Sequence, residues 1–308
     1  MTAPPPAGGP RDARSPAAPP DDAERLAGGP TASGLVVEDL RVQFRTPQRV
    51  VQAVRGVSFT IGREKVGIVG ESGSGKSMTG RAIMRLAPPA AEVTATQLRF
   101  GGTDLLRCSE RDMLQVRGRR IGMIMQDPRH ALDPVMRVGR QIAEAIPAGR
   151  RGSRAEDRER VLAMLESVHI RDPGRVFDLY PHEVSGGMGQ RVMIAMMLMP
   201  EPSLLIADEP TSALDVTVRL AVLAILDELV SERNLGLMFI SHDLNLVATF
   251  CDRVLIMYAG RVVEECAAGA LGQARHPYTR GLLASLPRMG DGRTRLPVLS
   301  RDPAWLVP

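Results

Sequence analysis

Val66-Gly67-Ile68-Val69 runs directly into Gly70-Glu71-Ser72-Gly73-Ser74-Gly75-Lys76-Ser77, and the reading of this junction decides the fold. The apolar four read as a buried strand, and the eight that follow form a complete G-x-x-x-x-G-K-[ST] phosphate-binding loop. Its glycines free the backbone to wrap an anion. In such a loop the backbone N–H groups point at the α- and β-phosphates, Lys76 reaches the β/γ oxygens, and the Ser77 hydroxyl can complete the shell of a Mg²⁺ ion. A helix beginning near Lys76 adds its positive end. The bare pattern also arises by accident in Gly/Ser turns. Here a strand precedes it and a helix-compatible stretch, 77–87, follows until Pro88-Pro89 stops it, so a nucleoside triphosphate is the expected ligand.

Upstream, Leu35-Val36-Val37, 40–44 and 54–59 alternate apolar and polar residues and read as strands of an antiparallel sheet. Downstream, 98–100 and 121–125 read as further strands. Between 127 and 200 the chain turns helical: Ser153 with Glu156 forms a capping box, and Val161, Met164, Leu165 and Val168 fall on one helix face. That segment is expected to be a separate helical lobe. Strand and helix then alternate again, through 204–207, a helix over 216–232, 237–240, 254–257 and 262–263. The pattern predicts an α/β fold: a mostly parallel core sheet covered on both faces, an antiparallel β subdomain and a helical subdomain.

Composition narrows the class without naming a partner. The 308 residues are 44% hydrophobic, ample for a core, and 39 Lys+Arg against 35 Asp+Glu leave a net charge of only +4. That mild balance does not identify nucleic acid. Three cysteines, Cys108, Cys251 and Cys266, lack C-x-x-C spacing, so neither a disulfide framework nor a zinc site is encoded. No run approaches the roughly 18 apolar residues that a membrane-spanning helix needs, and the start lacks an apolar signal core. Residues 1–33 hold eight of the 24 prolines and a single Leu, and are expected to be a disordered tail. A cassette over 34–287, with its helical part at about 127–200, and a C-terminal tail over 288–308 complete the expected organisation.

The acidic pair Asp208-Glu209 closes the apolar strand 204–207. Downstream of a phosphate loop, the first carboxylate of such a pair holds Mg²⁺ and the second polarises an attacking water. His242 sits just past another strand end, where it can reach a γ-phosphate or orient the carboxylate. Gln126 follows the strand at 121–125 and supplies an amide able to touch both metal and water. Each of these taken singly is more often a cap or a structural side chain; the weight lies in their company.

That company carries a family resemblance over nearly everything from residue 35 to 287. The phosphate loop is followed by Gln126-Asp127-Pro128, Val184-Ser185-Gly186-Gly187-Met188, Leu205-Ile206-Ala207-Asp208-Glu209-Pro210, Ser212-Ala213-Leu214-Asp215 and Ser241-His242-Asp243. In that order the motifs resemble the nucleotide-binding subunit of an ABC transporter, and the Ser-Gly-Gly signature separates such ATPases from other phosphate-loop enzymes. The resemblance implies a head-to-tail dimer, with each ATP and its Mg²⁺ held between residues 70–77 of one cassette and the signature of the other. Ser72, Gly73, Ser74 and the rest of the loop, with Ser185, Gly186, Gly187 and Asp215, would bind nucleotide. Ser77, Gln126 and Asp208 would hold the metal, and Glu209, His242 and Gln126 would serve catalysis.

Tyr180-Pro181-His182-Glu183, Ser185-Gly186-Gly187-Met188, Ile194-Ala195-Met196, Met257-Tyr258-Ala259-Gly260 and His276-Pro277-Tyr278-Thr279 resemble the oligopeptide, dipeptide and nickel importers in particular. The implied partners are a second ABC ATPase subunit, identical or merely similar, two transmembrane permease subunits and, indirectly, an extracytoplasmic solute-binding protein. The implied place is the cytoplasmic face of the inner membrane, and nucleic acid is not an implied partner. A rival, a soluble ABC ATPase acting on nucleic acid, is opposed by the single cassette and by the absence of sustained heptads between Lys76 and Asp208. An exporter cassette is opposed only by the importer stretches. Tyr180-Pro181-His182 and His276-Pro277-Tyr278 read as packing. Three departures stand out. Met188 replaces the common Gln, Gly189 replaces a basic residue and is expected to loosen the signature helix, and Val51 stands where many relatives stack the adenine on an aromatic ring. Some relatives continue into a cysteine-rich cluster-binding segment; no Cys follows Cys266, so no iron-sulfur cluster is expected.

Overall fold

The computed structural model describes residues 34–47 and 49–286, together with Met1, Asp302 and Trp305; the tails expected at 1–33 and 288–308 otherwise lie outside the described residues. Strand β1 (Leu35–Arg45) pairs antiparallel with β2 (Val50–Ile61), Leu35 opposite Ile61 and Val42 opposite Val54. Leu35, Val37, Leu40, Val42, Val54, Val57 and Phe59 are buried; alternation holds within each stretch, and register shifts beside Asp39 (φ 49°) and Gly56 (φ 80°) reset its phase between them. The short strand β3 (Lys65–Val69) then leads into the phosphate loop and helix α1 (Lys76–Ile83).

Helix α1 ends four residues before the point its sequence predicts. Arg85 takes a left-handed conformation (φ 52°), Leu86 N–H donates to Arg81 O and Arg85 N–H to Ala82 O, which together form a Schellman cap. Glycine normally marks that position, so the stop is unmarked in the sequence. The Arg85 guanidinium instead donates to Cys108 O at 2.9 Å, and Arg117 Nε to Met84 O at 2.8 Å, which fixes the turn from outside.

Strands β4 (Ala91–Thr94), β5 (Gln97–Phe100) and β6 (Thr103–Asp104) complete the antiparallel sheet, β4 and β5 both pairing with β1. Helix α2 (Glu110–Val116), capped by the Ser109 hydroxyl, precedes β7 (Ile121–Ile124). The helical segment follows as α3 (Val138–Glu144), α4 (Arg154–Ser167), α5 (Pro173–Asp178) and α6 (Gly186–Leu198), which pack on one another. The capping box at Ser153 and Glu156 is formed on both sides, a feature worth about 1 kcal/mol. Val161, Met164, Leu165 and Val168 are all buried on the face that meets the neighbouring helices.

The chain then re-enters the core as β8 (Leu204–Asp208), α7 (Val216–Glu232), β9 (Gly236–Ser241), α8 (Leu244–Phe250), β10 (Arg253–Tyr258), β11 (Arg261–Ala267) and α9 (Pro277–Ala284). The six-stranded sheet has the order β11-β10-β3-β9-β8-β7, parallel from β10 to β7 with β11 antiparallel at its edge. Strands β8 and β9 are buried at every residue because both faces are covered. One core lies between the two sheets, around Ile68, Ile83, Ile206 and Met238; the other lies between the parallel sheet and the helices, around Ile194, Leu226, Phe239 and Ile256. Each such fully buried side chain contributes roughly 1.5–3 kcal/mol. Among the described residues no helix is long and apolar enough to cross a membrane.

Candidate nucleotide site

Four neighbouring parallel strands deliver the site at their carboxyl ends, where open α/β sheets bind ligands. Strand β3 feeds the phosphate loop, β9 ends at Ser241 before His242, β8 ends at Asp208, and β7 leads to Gln126. Gly75 caps α1 at φ 101°, and a Cβ built there would lie 2.5 Å from Ala53 O of β2, so only glycine lets the loop pass this close to a neighbouring strand. Lys76 is 4% exposed, and its Nζ donates to Gly70 O at 2.8 Å and Glu71 O at 3.0 Å. Burial pushes the Lys76 pKa below the ordinary lysine value, while the carboxylates of Glu209, Asp208 and Glu71 pull it back up. Ser74 Oγ is buried and has no hydrogen-bond partner among the described residues, a group that a phosphate oxygen can satisfy. From outside, the loop is gripped twice: Gly260 N–H donates to Ser74 O at 3.0 Å, and the Tyr278 hydroxyl accepts from Glu71 N–H at 3.1 Å.

Asp208, 5% exposed, accepts a 2.7 Å hydrogen bond from Ser77 Oγ. Burial raises its pKa, opposed by the Ser77 hydroxyl and by the charges of Arg81 and Lys76. This pair suits Mg²⁺. The two groups are adjoining hard oxygen donors, and a divalent cation supplies the compensation that burial takes from the carboxylate. No group of three or more His, Cys, Asp and Glu able to hold a metal occurs among the described residues, so the ion would take its remaining ligands from phosphate and water, the usual habit of Mg²⁺.

Glu209 adopts a left-handed backbone (φ 47°), a conformation that costs a non-glycine residue of order 1 kcal/mol and clusters at working sites. The surroundings hold it there. Its N–H donates to Ile240 O at 3.0 Å and its carbonyl accepts from Ser212 N–H and Oγ. Its carboxylate lies 3.2 Å from His242 Nδ1, with the glutamate side chain 18% exposed and the histidine 58%. A carboxylate so fixed can accept a proton from water, and the histidine beside it can orient that carboxylate.

The remaining candidates stand elsewhere within the chain. Gln126 is exposed and, with Ser185 and Gly186, lines a cleft of about 610 Å³; it is not among the hydrogen-bond partners of Ser77 or Asp208. Ser185 caps α6, its Oγ accepting from Met188 N–H at 3.4 Å, and is exposed together with Gly186. A Cβ on Gly187 would lie 2.4 Å from Val218 Cγ1, so glycine also lets α6 rest against α7. Asp215 caps α7, accepting from Val218 N–H at 3.0 Å. Val51 is 36% exposed on β2, paired across the sheet with Phe44.

Gly189 carries its helix-propensity cost without interrupting the helix. Helix α6 is continuous through it, Gly189 N–H donating to Ser185 O at 2.8 Å, and the residue is buried against Pro128. A Cβ there would meet Pro128 at 3.4 Å, ordinary contact. Gly189→Ala is therefore expected to stabilise the chain by about 0.5–1 kcal/mol, read as a rise in the denaturant midpoint at unchanged slope. A fall would show that the Pro128 contact has no room.

The family description "ABC transporter" matches residues 54–212. The "Probable peptide ABC transporter ATP-binding protein y4tR" of Sinorhizobium fredii is 49% identical over 278 residues, covering 89% of this chain and 83% of that protein. The "Dipeptide transport ATP-binding protein DppD" of Bacillus subtilis is 45% identical over 278 residues, with the same coverage of each chain. Among solved structures, the dimeric MJ0796, a bacterial ABC transporter cassette, superposes with a TM-score of 0.68 at 26% identity, over 76% of this chain and 98% of that one. With the phosphate loop, the hydrogen-bonded Ser77–Asp208 pair and the Glu209–His242 contact on adjoining strands, these likenesses place the chain in one family: it belongs to the ABC transporters.

Proposed function

We propose that this chain is the ATP-hydrolysing subunit of an importer for dipeptides, oligopeptides or related solutes, bound to the cytoplasmic face of the membrane by its permease partners. The observation that carries the reading is the convergence, at the ends of β3, β8 and β9, of a phosphate loop with a hydrogen-bonded Ser77–Asp208 pair and a glutamate braced by histidine. The identity to peptide-transport ATP-binding proteins supports the solute class.

In this reading Lys76 exchanges the carbonyls of Gly70 and Glu71 for β/γ-phosphate oxygens, and the N–H groups of the loop and of the first turn of α1 surround the anion. Ser77 and Asp208, with Gln126 approaching from β7, would hold Mg²⁺, which neutralises charge on the phosphoryl oxygens. Glu209 takes the proton of the attacking water, and His242 keeps that carboxylate aimed. The exposed Ser185 and Gly186, with the half-buried Gly187, would grip the triphosphate of a second cassette, with Asp215 nearby at the seam. ATP then forms part of the interface. Binding closes the pair, and hydrolysis removes the contact that held it shut.

The test is reconstitution with the membrane proteins that co-purify from solubilised membranes. ATP-dependent uptake of a labelled dipeptide or oligopeptide, abolished by a Lys76→Ala chain, is expected. Hydrolysis without uptake, or association with nucleic acid in moderate salt in place of membrane subunits, would overturn the reading.

A further inference from the structure

The His276-Pro277-Tyr278-Thr279 stretch is more than packing, because Tyr278 ends on the phosphate loop. We propose that Tyr278 is a positioning residue of the nucleotide site: its buried hydroxyl fixes the backbone of Glu71 and with it the shape of the phosphate loop, so that helix α9 sets the affinity for the triphosphate. The inference rests on the nucleotide reading above and extends it to a segment 207 positions downstream.

The chain of contacts is continuous. Tyr278 is wholly buried and its hydroxyl accepts from Glu71 N–H at 3.1 Å. The carbonyl of that same Glu71 accepts from Lys76 Nζ at 3.0 Å. Fixing the residue on its N–H side therefore holds the loop backbone in place while the ammonium exchanges this carbonyl for a phosphate oxygen. The Glu71 N–H is turned toward the tyrosine and is thus occupied from behind, which leaves the loop's inner N–H groups for the anion.

The tyrosine is itself immobilised. Its ring lies 4.5 Å, centroid to centroid, from Tyr258 and 5.9 Å from Trp305, and Tyr258 packs edge-on to Trp305 at 5.8 Å. Tyr258 closes β10, and the turn after it supplies Gly260 N–H, the donor to Ser74 O. The same block of structure thus grips the loop at both Glu71 and Ser74. At its base α9 is tied to β11: Glu264 accepts from the N–H groups of Arg275 and His276, and His276 Nδ1 caps the helix by accepting from Tyr278 N–H at 3.2 Å.

Chemistry separates this arrangement from packing alone. A phenylalanine would fill the same apolar space, whereas a buried phenolic oxygen is costly unless it is hydrogen-bonded. Here it is bonded to the loop's second residue. Removing it while keeping the ring should loosen the loop's preorganised shape, and that loss appears in ligand affinity more than in the chemical step.

The test compares the full chain with Tyr278→Phe and Tyr258→Phe, the latter altering the same aromatic block at a hydroxyl that, among the described residues, makes no hydrogen bond to the loop. Binding of a fluorescent ATP analogue, thermal unfolding without nucleotide, amide exchange at Glu71, and KM and kcat in the assembled complex are measured together. Tyr278→Phe is expected to raise Kd and KM for ATP about five- to tenfold, the size of one hydrogen bond, with kcat within about twofold and faster exchange at Glu71. Tyr258→Phe is expected to match the parent. Unchanged Kd in Tyr278→Phe, or an equal rise in Tyr258→Phe, would overturn the inference alone. Failure of the parent chain to bind the analogue would overturn the nucleotide reading, and the inference with it.

Discussion

Glu209→Gln is expected to lower steady-state ATP hydrolysis by roughly 10²–10⁴-fold, the usual contribution of a positioned general base. The amide has the shape of the carboxylate and keeps a polar atom toward His242, 3.2 Å away, but it cannot take a proton from water. Binding should survive, because the phosphate-binding groups of the loop are untouched. The variant should therefore accumulate with ATP in a long-lived closed pair of cassettes, visible as a shift in size-exclusion volume that ADP does not produce. Phosphate release within about threefold of the parent would remove Glu209 from the chemistry and leave its left-handed backbone without a catalytic purpose.

Lys76→Ala is the second large effect. A charge-assisted hydrogen bond is worth roughly 1.5–3 kcal/mol, so losing the ammonium should weaken ATP binding about 10- to 150-fold. Nucleotide-free stability should change less than the affinity, because the cost of burying the ammonium, which pushes its pKa below the ordinary lysine value, offsets its two bonds to the Gly70 and Glu71 carbonyls. Titration with a fluorescent ATP analogue checks the affinity, and a parallel melt checks the fold. Unaltered affinity would mean that the loop binds its ligand without the ammonium.

Much of this was readable in the sequence because the site is written in local strings. Residues 66–77 specify strand, loop and helix start in succession, and 204–209 specify a strand ending in two carboxylates. What escaped was whatever depends on distant partners or on unusual backbone. The stop of α1 at Ile83 rests on a left-handed Arg85, a conformation arginine does not announce. The same holds for Glu209. Short elements such as α2, α8 and α9 carry too few turns for a periodic signal. At Gly189 the sequence shows the propensity cost, and the structure adds the Pro128 against which the residue packs. The bond from Tyr278 to Glu71 spans most of the cassette, and no local pattern encodes it.

Within one chain the signature residues Ser185 and Gly186 line a cleft with Gln126 that no residue of the loop 70–77 lines, and the central claim concerns two cassettes and not one. It is tested most directly by the structure of the Glu209→Gln complex with ATP, purified with its membrane partners. The account predicts a triphosphate bound by Lys76 and Ser77 on one side and by the Ser-Gly-Gly turn of the adjoining cassette on the other. ATP seated in the loop with that turn directed away from it would contradict the account.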